Sequence, residues 1–229
     1  MTQPVLKGAM EFPVGLIPLD RVRRDLTVAY QPMGEDEALE VQAFKESREG
    51  YISVPRQYGI SLCSQLGIEY VDATSPGVEI KFKKVPKPRD YQVDALEEIQ
   101  DATESYYDFL FRARTGWGKT VGSLIVASRL QVSTLIVVDQ ENLKEQWIKS
   151  LKEFFGFSDS DIGIIQGDKC SYEGKAVTVA MVQTLSKRTY PAKVYDYFGL
   201  VIVDEVHIIG APTFHAVLLD FNAAYRFGV

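Results

Sequence analysis

The sequence contains few of the residues that build metal centres and covalent cross-links. Only two cysteines and two histidines occur among its 229 residues. Cys63 and Cys170 lie far apart and form no C-x-x-C pair, so the sequence indicates neither a disulfide framework nor a zinc site. His207 and His215 are the only imidazoles, and two are too few for a metal cluster built from histidine.

Long apolar runs are absent as well. No stretch reaches the roughly 18 consecutive apolar residues that a membrane-spanning helix requires. Residues 1–19 are apolar in part, but Pro4, Glu11, Pro13 and Pro18 interrupt them and no basic segment precedes them, so they do not read as a signal peptide. We therefore expect a cytoplasmic protein that has no membrane partner.

Positive charge is the third shortage. The 25 lysines and arginines are outnumbered by 31 acidic residues, which gives a net charge of −6. This balance argues against nucleic-acid binding through overall charge, although it does not exclude a local basic groove. Hydrophobic residues make up 46% of the chain and charged residues 24%, which is ordinary for a globular protein with a buried core.

The most informative stretch that is present is ARTGWGKT, at residues 113–120. It matches the phosphate-binding template G-x-x-x-x-G-K-S/T except at the first position, where Ala113 replaces glycine. The apolar run at residues 107–111 predicts a strand before this stretch, and residues 121–130 predict a helix after it. Strand, loop and helix in this order predict a nucleotide-binding loop.

The residues of this loop suit an anion. Gly116 and Gly118 allow successive backbone N–H groups to point at phosphate oxygens, and the positive end of the following helix faces the same anion. Lys119 would contact the β- and γ-phosphates of ATP, and the Thr120 hydroxyl would contact Mg²⁺. The Trp117 ring either packs beside the nucleotide or lies against the protein surface. The predicted nucleotide-binding residues of the loop are Thr115, Gly116, Trp117, Gly118, Lys119 and Thr120.

A second chemical motif follows a later apolar run. Residues 200–207 read LVIVDEVH, a buried strand that ends in Asp204 and Glu205. Asp204 would reach Mg²⁺, usually through water, because this ion prefers oxygen ligands. Glu205 is placed to orient and deprotonate an attacking water. The carboxyl ends of parallel strands converge on one crevice, so we expect this pair beside Lys119.

From residue 87 onward the pattern predicts one α/β domain, residues 87–229. Apolar runs without polar interruption alternate with amphipathic segments, which indicates a parallel sheet covered by helices on both faces. The predicted helices are residues 90–102, 121–130 and 141–155, and the predicted strands are residues 107–111, 133–138, 162–165, 176–182 and 200–203.

Residues 1–86 predict a small α+β domain, because short apolar pieces there are separated by proline, glycine and charged positions. The predicted strands are residues 14–19, 27–30, 51–54 and 78–82, and the predicted helices are residues 36–47 and 61–66, the second ended by Gly67. Arginines 21, 23 and 24 are candidates for DNA contact in this domain.

A basic cluster joins the two predicted domains. It contains Lys81, Lys83, Lys84, Lys87 and Arg89. Prolines at 86 and 88 exclude a helix there, so the segment is predicted to be a linker. It is either a solvated connection or, through Lys83 and Lys84, a contact to a phosphate backbone.

These motifs, in this order, resemble the superfamily 2 helicases and translocases over residues 89–229. The resemblance implies a RecA-like domain. It further implies that RDYQ at residues 89–92 supplies Arg89 and Gln92 near the base of ATP, where Gln92 reads adenine. VDEVH is the DExH form of the acidic motif. In this form His207 couples the nucleotide state to the nucleic-acid path and joins Lys119, Asp204 and Glu205 as a catalytic residue.

Three further segments resemble nucleic-acid contacts of the same superfamily. Residues 137–147 (VVDQENLKEQW) resemble its second motif, with Asp139 and Gln140 where a Pro-Thr pair is usual. QGD at residues 166–168 and VAMVQTL at residues 179–185 resemble later single-strand contacts. The resemblance therefore implies contacts from Gln140, Gln183 and Thr184.

A small amino-terminal domain followed by RxYQ and a DExH core resembles the XPB-type and phage UvsW-type members. YISVPRQYGI at residues 51–60 is similar to a phrase found ahead of the core in viral and phage members, although a turn fixed by Pro55 and Gly59 would explain it equally well.

The resemblance implies the ATP-binding amino-terminal half of a DNA helicase or translocase in a bacterial, phage-infected or viral host cell. Its partners would be single-stranded or branched duplex DNA, or RNA. We expect the Ser/Thr-Ala-Thr motif and the second RecA-like domain to be missing from this chain, and hydrolysis by the chain alone to be weak. The alternatives are a non-catalytic nucleotide-dependent binding module, one part of a split motor, or an RNA helicase. A small-molecule kinase is disfavoured, because nothing resembles an acceptor-binding lid.

Overall fold

The computed structural model describes residues 3–30, 39–47, 50–105, 108–206 and 218–229. Two β-sheets and one separate hairpin organise these residues. The elements of the amino-terminal part are β1 (Val5–Leu6), β2 (Met10–Pro13), α1 (Leu19–Asp25), β3 (Thr27–Tyr30), β4 (Leu39–Gln42), β5 (Lys45–Glu46), β6 (Tyr51–Val54), α2 (Arg56–Leu66) and β7 (Val71–Asp72).

The amino-terminal sheet has the strand order β5-β6-β2-β1-β7, and β3 pairs with β4 as a hairpin of its own. All neighbours in the sheet are antiparallel except β1 and β7. Helix α2 packs closely on β2, since a Cβ added at Gly59 would lie 2.3 Å from the Met10 Cβ. These elements enclose a separate apolar core of Leu6, Met10, Phe12, Ile17, Val22, Ile52, Val54, Leu62 and Cys63.

The second part of the chain forms a larger sheet with helices on both faces. Its elements are α3 (Asp90–Ser105), β8 (Asp108–Leu110), α4 (Lys119–Leu130), β9 (Thr134–Val138), α5 (Glu141–Phe155), β10 (Ile162–Gln166), β11 (Lys169–Ser171), β12 (Val177–Met181), α6 (Val182–Leu185), α7 (Ala192–Tyr195), β13 (Leu200–Val203) and β14 (Tyr225–Gly228). The strand order is β11-β10-β12-β9-β13-β14-β8. Every pairing in it is parallel except that of β10 with β11.

The two faces of this sheet carry separate cores. Along β9, Ile136 and Val138 join the core beneath α3, α4 and α5. Leu135 and Val137 point the other way, into the core that includes residues of α6 and α7. Because both faces are covered, the strands are mostly apolar on both sides, as parallel sheets require.

The segment between the two sheets crosses the amino ends of the parallel strands as a strap, which we define as residues 73–84. Gly77 lies so close to Gly199, just before β13, that an added Cβ would be 2.3 Å from the Gly199 nitrogen. The Val78 N–H donates to the Ser133 hydroxyl before β9 at 2.8 Å. Lys83 pairs with Asp161 before β10 at 2.6 Å. The predicted linker, residues 81–89, overlaps the strap at residues 81–84, where Lys83 makes this contact, and it contains no helix.

Two buried arginines join the amino-terminal part to the large sheet. Arg56, 1% exposed, donates to the carbonyl oxygens of Lys7 and Ala223 at 2.5 and 2.7 Å. Arg226 on β14 donates in the opposite direction, to the Gly8 carbonyl at 2.8 Å. The Asp108 carboxylate on β8 lies between them, 3.5 Å from Arg56 and 2.8 Å from Arg226. This arginine junction places the VPR phrase at the contact between the two sheets.

The predicted α/β class with a helix-flanked parallel sheet is confirmed. Four elements have the predicted bounds: Thr27–Tyr30, Tyr51–Val54, Glu141–Phe155 and Leu200–Val203. The other predicted elements of the large sheet differ by a few residues. None of the helices among the described residues is long and apolar enough to cross a lipid bilayer.

The helix predicted over residues 36–47 is wrong in its described part, where β4 and β5 lie instead. Leu39 and Val41 are two residues apart, a spacing that also suits a strand, and pairing with β3 decides between the two. The strand predicted at residues 14–19 is a turn that leads from Pro13 into α1. Residues 78–82 are part of the strap and make only one isolated bridge, between Glu79 and Val132.

Replacing Arg56 with methionine should lower the free energy of unfolding by about 2–4 kcal/mol, because the change removes two buried hydrogen bonds and one partner of Asp108. Urea unfolding followed by circular dichroism measures this loss. Arg24→Met is the control, because that side chain is 75% exposed and its loss should change stability by less than about 0.5 kcal/mol. Equal effects of the two variants would contradict a structural role for the junction.

Candidate nucleotide and nucleic-acid site

The loops that carry the predicted chemistry leave the large sheet at one edge. Parallel strands present their carboxyl ends on the same side. The phosphate-binding loop follows β8, Asp139 and Gln140 follow β9, and Asp204 and Glu205 follow β13. We call this side the carboxyl edge, and the side crossed by the strap the amino edge.

The phosphate-binding loop has the backbone that an anion site needs. Gly116 has a φ of +80° and Gly118 a φ of +92°, values that side chains rarely allow. A Cβ added at Gly116 would meet nothing within 4 Å, so the loop is open on that side. Helix α4 begins at Lys119 with Gly118 as its N-cap, and its first N–H groups have no partner within the helix.

The side chain of Trp117 points into the core. It is 9% exposed, and its ring centroid lies 4.9 Å from that of Phe111 in an edge-to-face contact. Gly122, one turn into α4, makes room for it, since a Cβ there would lie 2.6 Å from Trp117 Cζ3. The predicted position against the surface is therefore wrong, and the predicted position beside the nucleotide stays a prediction. The Trp117 backbone remains part of the loop.

The RDYQ segment is bonded to the same loop. The Gln92 amide donates to the Trp117 carbonyl at 2.9 Å and accepts from the Arg89 N–H at 2.9 Å. Tyr91 receives a hydrogen bond from the Arg89 guanidinium at 2.8 Å. Gln92 is buried. These two hydrogen bonds use one N–H and one lone pair of its side-chain amide, which has a second N–H and a second lone pair on its oxygen. The role of Gln92 in reading adenine stays a prediction.

The acidic pair at the end of β13 is held from two sides. The Trp147 indole N–H donates to Asp204 Oδ2 at 2.7 Å, and the Glu205 backbone N–H donates to Asp204 Oδ1 at 3.0 Å. Burial raises the pKa of the Asp204 carboxyl, while these two donors and the nearby Lys119 act in the opposite direction. Glu205 has a φ of +50°, a strained value for a residue with a side chain.

The side chains around Lys119 suit a magnesium nucleotide. Thr120 and Asp204 offer only oxygen ligands, which Mg²⁺ prefers. They belong to different elements, yet neighbouring residues of α5 contact both: Gln146 donates to the Thr120 hydroxyl at 3.3 Å, and Trp147 contacts Asp204. The donor set and the open glycine loop therefore fit the ion and its phosphates.

Five of the residues predicted to contact nucleic acid, those of the second domain and of the basic cluster, separate into two groups. Gln183 and Thr184 lie on α6 at the carboxyl edge. Gln183 donates to the Asp139 carbonyl at 2.7 Å, and the Thr184 hydroxyl accepts from the Gly167 N–H at 3.1 Å. Gln140, the exposed N-cap of α5, is adjacent to Asp139. The structure thus brings Gln140, Gln183 and Thr184 together.

The two lysines of the basic cluster lie elsewhere. Lys83 is at the amino edge, and it holds the pKa of the Asp161 carboxyl below its ordinary value together with hydrogen bonds from Ser158. Lys84 lies beside it near Gly156. His207 falls outside the described residues, so its predicted role stays a prediction.

The sequence alone did not identify Trp147 and Gln146 as part of the site. Trp147 lies on the apolar face of α5. A buried indole N–H needs an acceptor, and this requirement was the available signal, but the pattern of one helix cannot name a carboxylate that follows a different strand.

The fold and this edge define a class of protein. A glycine loop after one strand and an acidic pair after another, in one parallel sheet, are the parts of a RecA-like ATP-binding domain of the helicase type. The family model described as "Type III restriction enzyme, res subunit" matches residues 86–229, and the chain belongs to this family. The match confirms the resemblance to superfamily 2 helicases inferred from the motifs.

Relatives in several organisms carry helicase or translocase names. A protein of Escherichia phage T5 with a helicase name is 30% identical over 173 residues, which are 74% of this chain and 36% of that protein. The DNA 3'-5' translocase XPB2 of Sulfurisphaera tokodaii is 30% identical over 141 residues, 62% of this chain and 30% of that protein. The chain spans about a third of the length of the curated relatives it matches.

A solved structure superposes on nearly the whole chain. The crystal structure of the UvsW helicase from bacteriophage T4 superposes with a TM-score of 0.62 at 16% identity, over 99% of this chain and 91% of that chain. The Sulfolobus solfataricus SWI2/SNF2 ATPase core in complex with double-stranded DNA gives a TM-score of 0.56 at 17% identity, over 64% of this chain and 32% of that one. At such identities the likeness concerns the fold alone.

Replacing Gly122 with alanine should destabilise the chain by about 1–3 kcal/mol, because the new methyl group would overlap the Trp117 ring. Nucleotide affinity should fall as well, since the loop backbone moves with that ring. Thermal unfolding and binding of a fluorescent ATP analogue measure the two effects. In a Trp117→Leu background the same alanine should lower stability only slightly. An equal loss of stability in that background would show that overlap with the Trp117 ring does not cause the destabilisation.

Proposed function

We propose that this chain is the ATP-binding amino-terminal part of a superfamily 2 helicase or translocase, which couples ATP hydrolysis to unwinding or remodelling of nucleic acid. The observation that carries the proposal is the convergence of the glycine loop, Lys119 and the Asp204–Glu205 pair on one edge of a parallel sheet. Membership in the family and the helicase names of the relatives support it.

Each residue of the nucleotide site has a separate role in ATP hydrolysis. The loop N–H groups and Lys119 bind the phosphates, and Thr120 and Asp204 hold Mg²⁺, which neutralises phosphate charge when bound. Glu205 orients the attacking water and accepts its proton. The strained backbone of Glu205 supports this role, because such strain concentrates at functional positions. Arg89 and Gln92 contact the base end of the nucleotide, and His207 relays the nucleotide state.

Nucleic acid binds the carboxyl edge on the side away from the nucleotide. Gln140, Gln183 and Thr184 are grouped there by the hydrogen bonds of Gln183 and Thr184, and uncharged donors of this kind contact sugar and phosphate. The partner is single-stranded or branched duplex DNA, or RNA, in the cytoplasm of a bacterial or virus-infected cell.

We also propose a division into an accessory domain, residues 1–86, and a first motor domain, residues 87–229. Two observations support this division: the two sheets have separate apolar cores, and the family match begins at residue 86. In the complete protein a second RecA-like domain would close the nucleotide site, in keeping with relatives of which this chain matches only about a third of the length.

Lys119→Ala should abolish binding of the magnesium nucleotide, because the main positive charge facing the phosphates is lost. Glu205→Gln should keep binding and lower any turnover by about 10²–10⁴-fold, because only the proton acceptor is removed. Fluorescent-nucleotide binding and phosphate release, with and without DNA and RNA, measure both. Lys149→Ala, an exposed lysine on α5, is the matched control. Nucleotide binding that survives Lys119→Ala would overturn the proposal.

The two groups of predicted nucleic-acid residues can be separated by variants. Gln140→Ala with Thr184→Ala should weaken binding of labelled single strands about tenfold, the loss expected for one or two hydrogen bonds. Lys83→Ala with Lys84→Ala should leave affinity and its salt dependence unchanged, because these lysines lie at the amino edge. Fluorescence anisotropy over a salt series tests both pairs. If the slope of log affinity against log salt concentration falls by about one or two in the lysine variant, the nucleic acid instead passes along the strap.

A further inference from the structure

Trp147, a buried residue of α5, makes a polar contact that packing of the core does not require. Trp147 is 0% exposed and belongs to the core beneath α3, α4 and α5. Its ring would serve there as any large apolar side chain would. Its indole N–H, however, is directed at Asp204 Oδ2, 2.7 Å away, and so ties this core to the end of β13.

This bond completes the support of the Asp204 carboxylate. Oδ1 accepts from the Glu205 N–H and Oδ2 accepts from Trp147, so each oxygen has one fixed donor. A carboxylate oxygen has two lone pairs. One lone pair on each oxygen therefore stays available for a metal ion or its water, while rotation of the group is opposed from both sides.

The preceding residue of α5 makes a parallel contact. Gln146 donates to the Thr120 hydroxyl at 3.3 Å. Thr120 is the second residue of α4 and Asp204 follows β13, so no single element fixes their separation. Consecutive residues of α5 contact both of them.

We propose that Trp147 is a positioning residue for magnesium: it fixes the orientation of the Asp204 carboxylate, and Gln146 does the same for Thr120. The inference rests on the proposed function, in which Thr120 and Asp204 hold the ion. Loss of an outer hydrogen bond to a metal ligand typically lowers metal affinity about 10–100-fold.

Trp147→Phe tests this role, because phenylalanine keeps an aromatic ring in the core and removes the N–H. Binding of a fluorescent ATP analogue is measured in Mg²⁺ and in EDTA. The nucleotide affinity in EDTA should be unchanged. The increase in nucleotide affinity on adding Mg²⁺, which we call the Mg²⁺-dependent gain, should fall about 10–100-fold. Gln146→Ala should reduce the gain less, because its bond is longer. In an Asp204→Asn background, Trp147→Phe should have no further effect.

Leu151→Ala provides the structural control. Leu151 is buried one turn along the same helix, so its truncation should lower the melting temperature and leave the Mg²⁺-dependent gain unchanged. If Leu151→Ala reduces the gain as much as Trp147→Phe, the effect is one of packing and the proposal is overturned. A full gain in Trp147→Phe overturns it as well.

Two outcomes separate this proposal from the proposed function. Wild-type protein that binds no nucleotide, or whose nucleotide affinity does not rise with Mg²⁺, contradicts the proposed function itself.

A second measurement needs no change at Trp147. The chain has only two tryptophans, so Trp117→Phe assigns their indole N–H resonances in ¹⁵N-labelled protein. The Trp147 resonance should shift when Mg²⁺ is added to the nucleotide complex. An unmoved resonance would contradict contact with a metal ligand.

Discussion

The parallel register of β8, β14, β13, β9, β12 and β10 is the constraint on which the rest of the molecule depends. It requires strands that are apolar on both faces, because helices cover the sheet on each side. It also directs every strand's carboxyl end to one edge, so loops that are distant in sequence meet there. The loop after β8 and the acidic pair after β13 are brought near each other by this register, although another strand, β14, lies between theirs.

The amino edge of the sheet is where the amino-terminal part of the chain is attached. There the strap crosses the starts of β14, β13, β9 and β10 and contacts the sheet through Ser75, Gly77, Val78 and Lys83. The arginine junction then joins the amino-terminal sheet to β8 and β14. Asp108, which both arginines approach, lies on the strand that leads into the phosphate-binding loop. The amino-terminal part is thereby linked mechanically to the strand that presents the nucleotide site.

Strong periodicity and motif spacing were sufficient to predict five of the seven strands of the large sheet, all except β11 and β14. The amphipathic pattern of Glu141–Phe155 and the apolar run Leu200–Val203 leave little choice of structure. The short strands of the first part were harder, because Leu39 and Val41 fit a helix or a strand until a partner strand exists. The direction of the Trp117 ring depends on the missing side chain of Gly122, and the Trp147 bond depends on a carboxylate 57 residues away. Such contacts are tertiary, and no local pattern contains them.

The sites proposed for the two ligands are built on different faces of the sheet. Helices α3, α4 and α5 share one core, and each fixes one part of the nucleotide site: Gln92 holds the loop carbonyl, Gly122 admits the Trp117 ring, and Trp147 holds Asp204. Helix α6, with Gln183 and Thr184, packs on the other face. The hydrogen bond from Gln183 to the Asp139 carbonyl joins these faces at the start of α5. A shift of α6 that accompanies nucleic-acid binding would therefore act on the helix that positions Asp204, and this is a physical route by which the two ligands can influence each other.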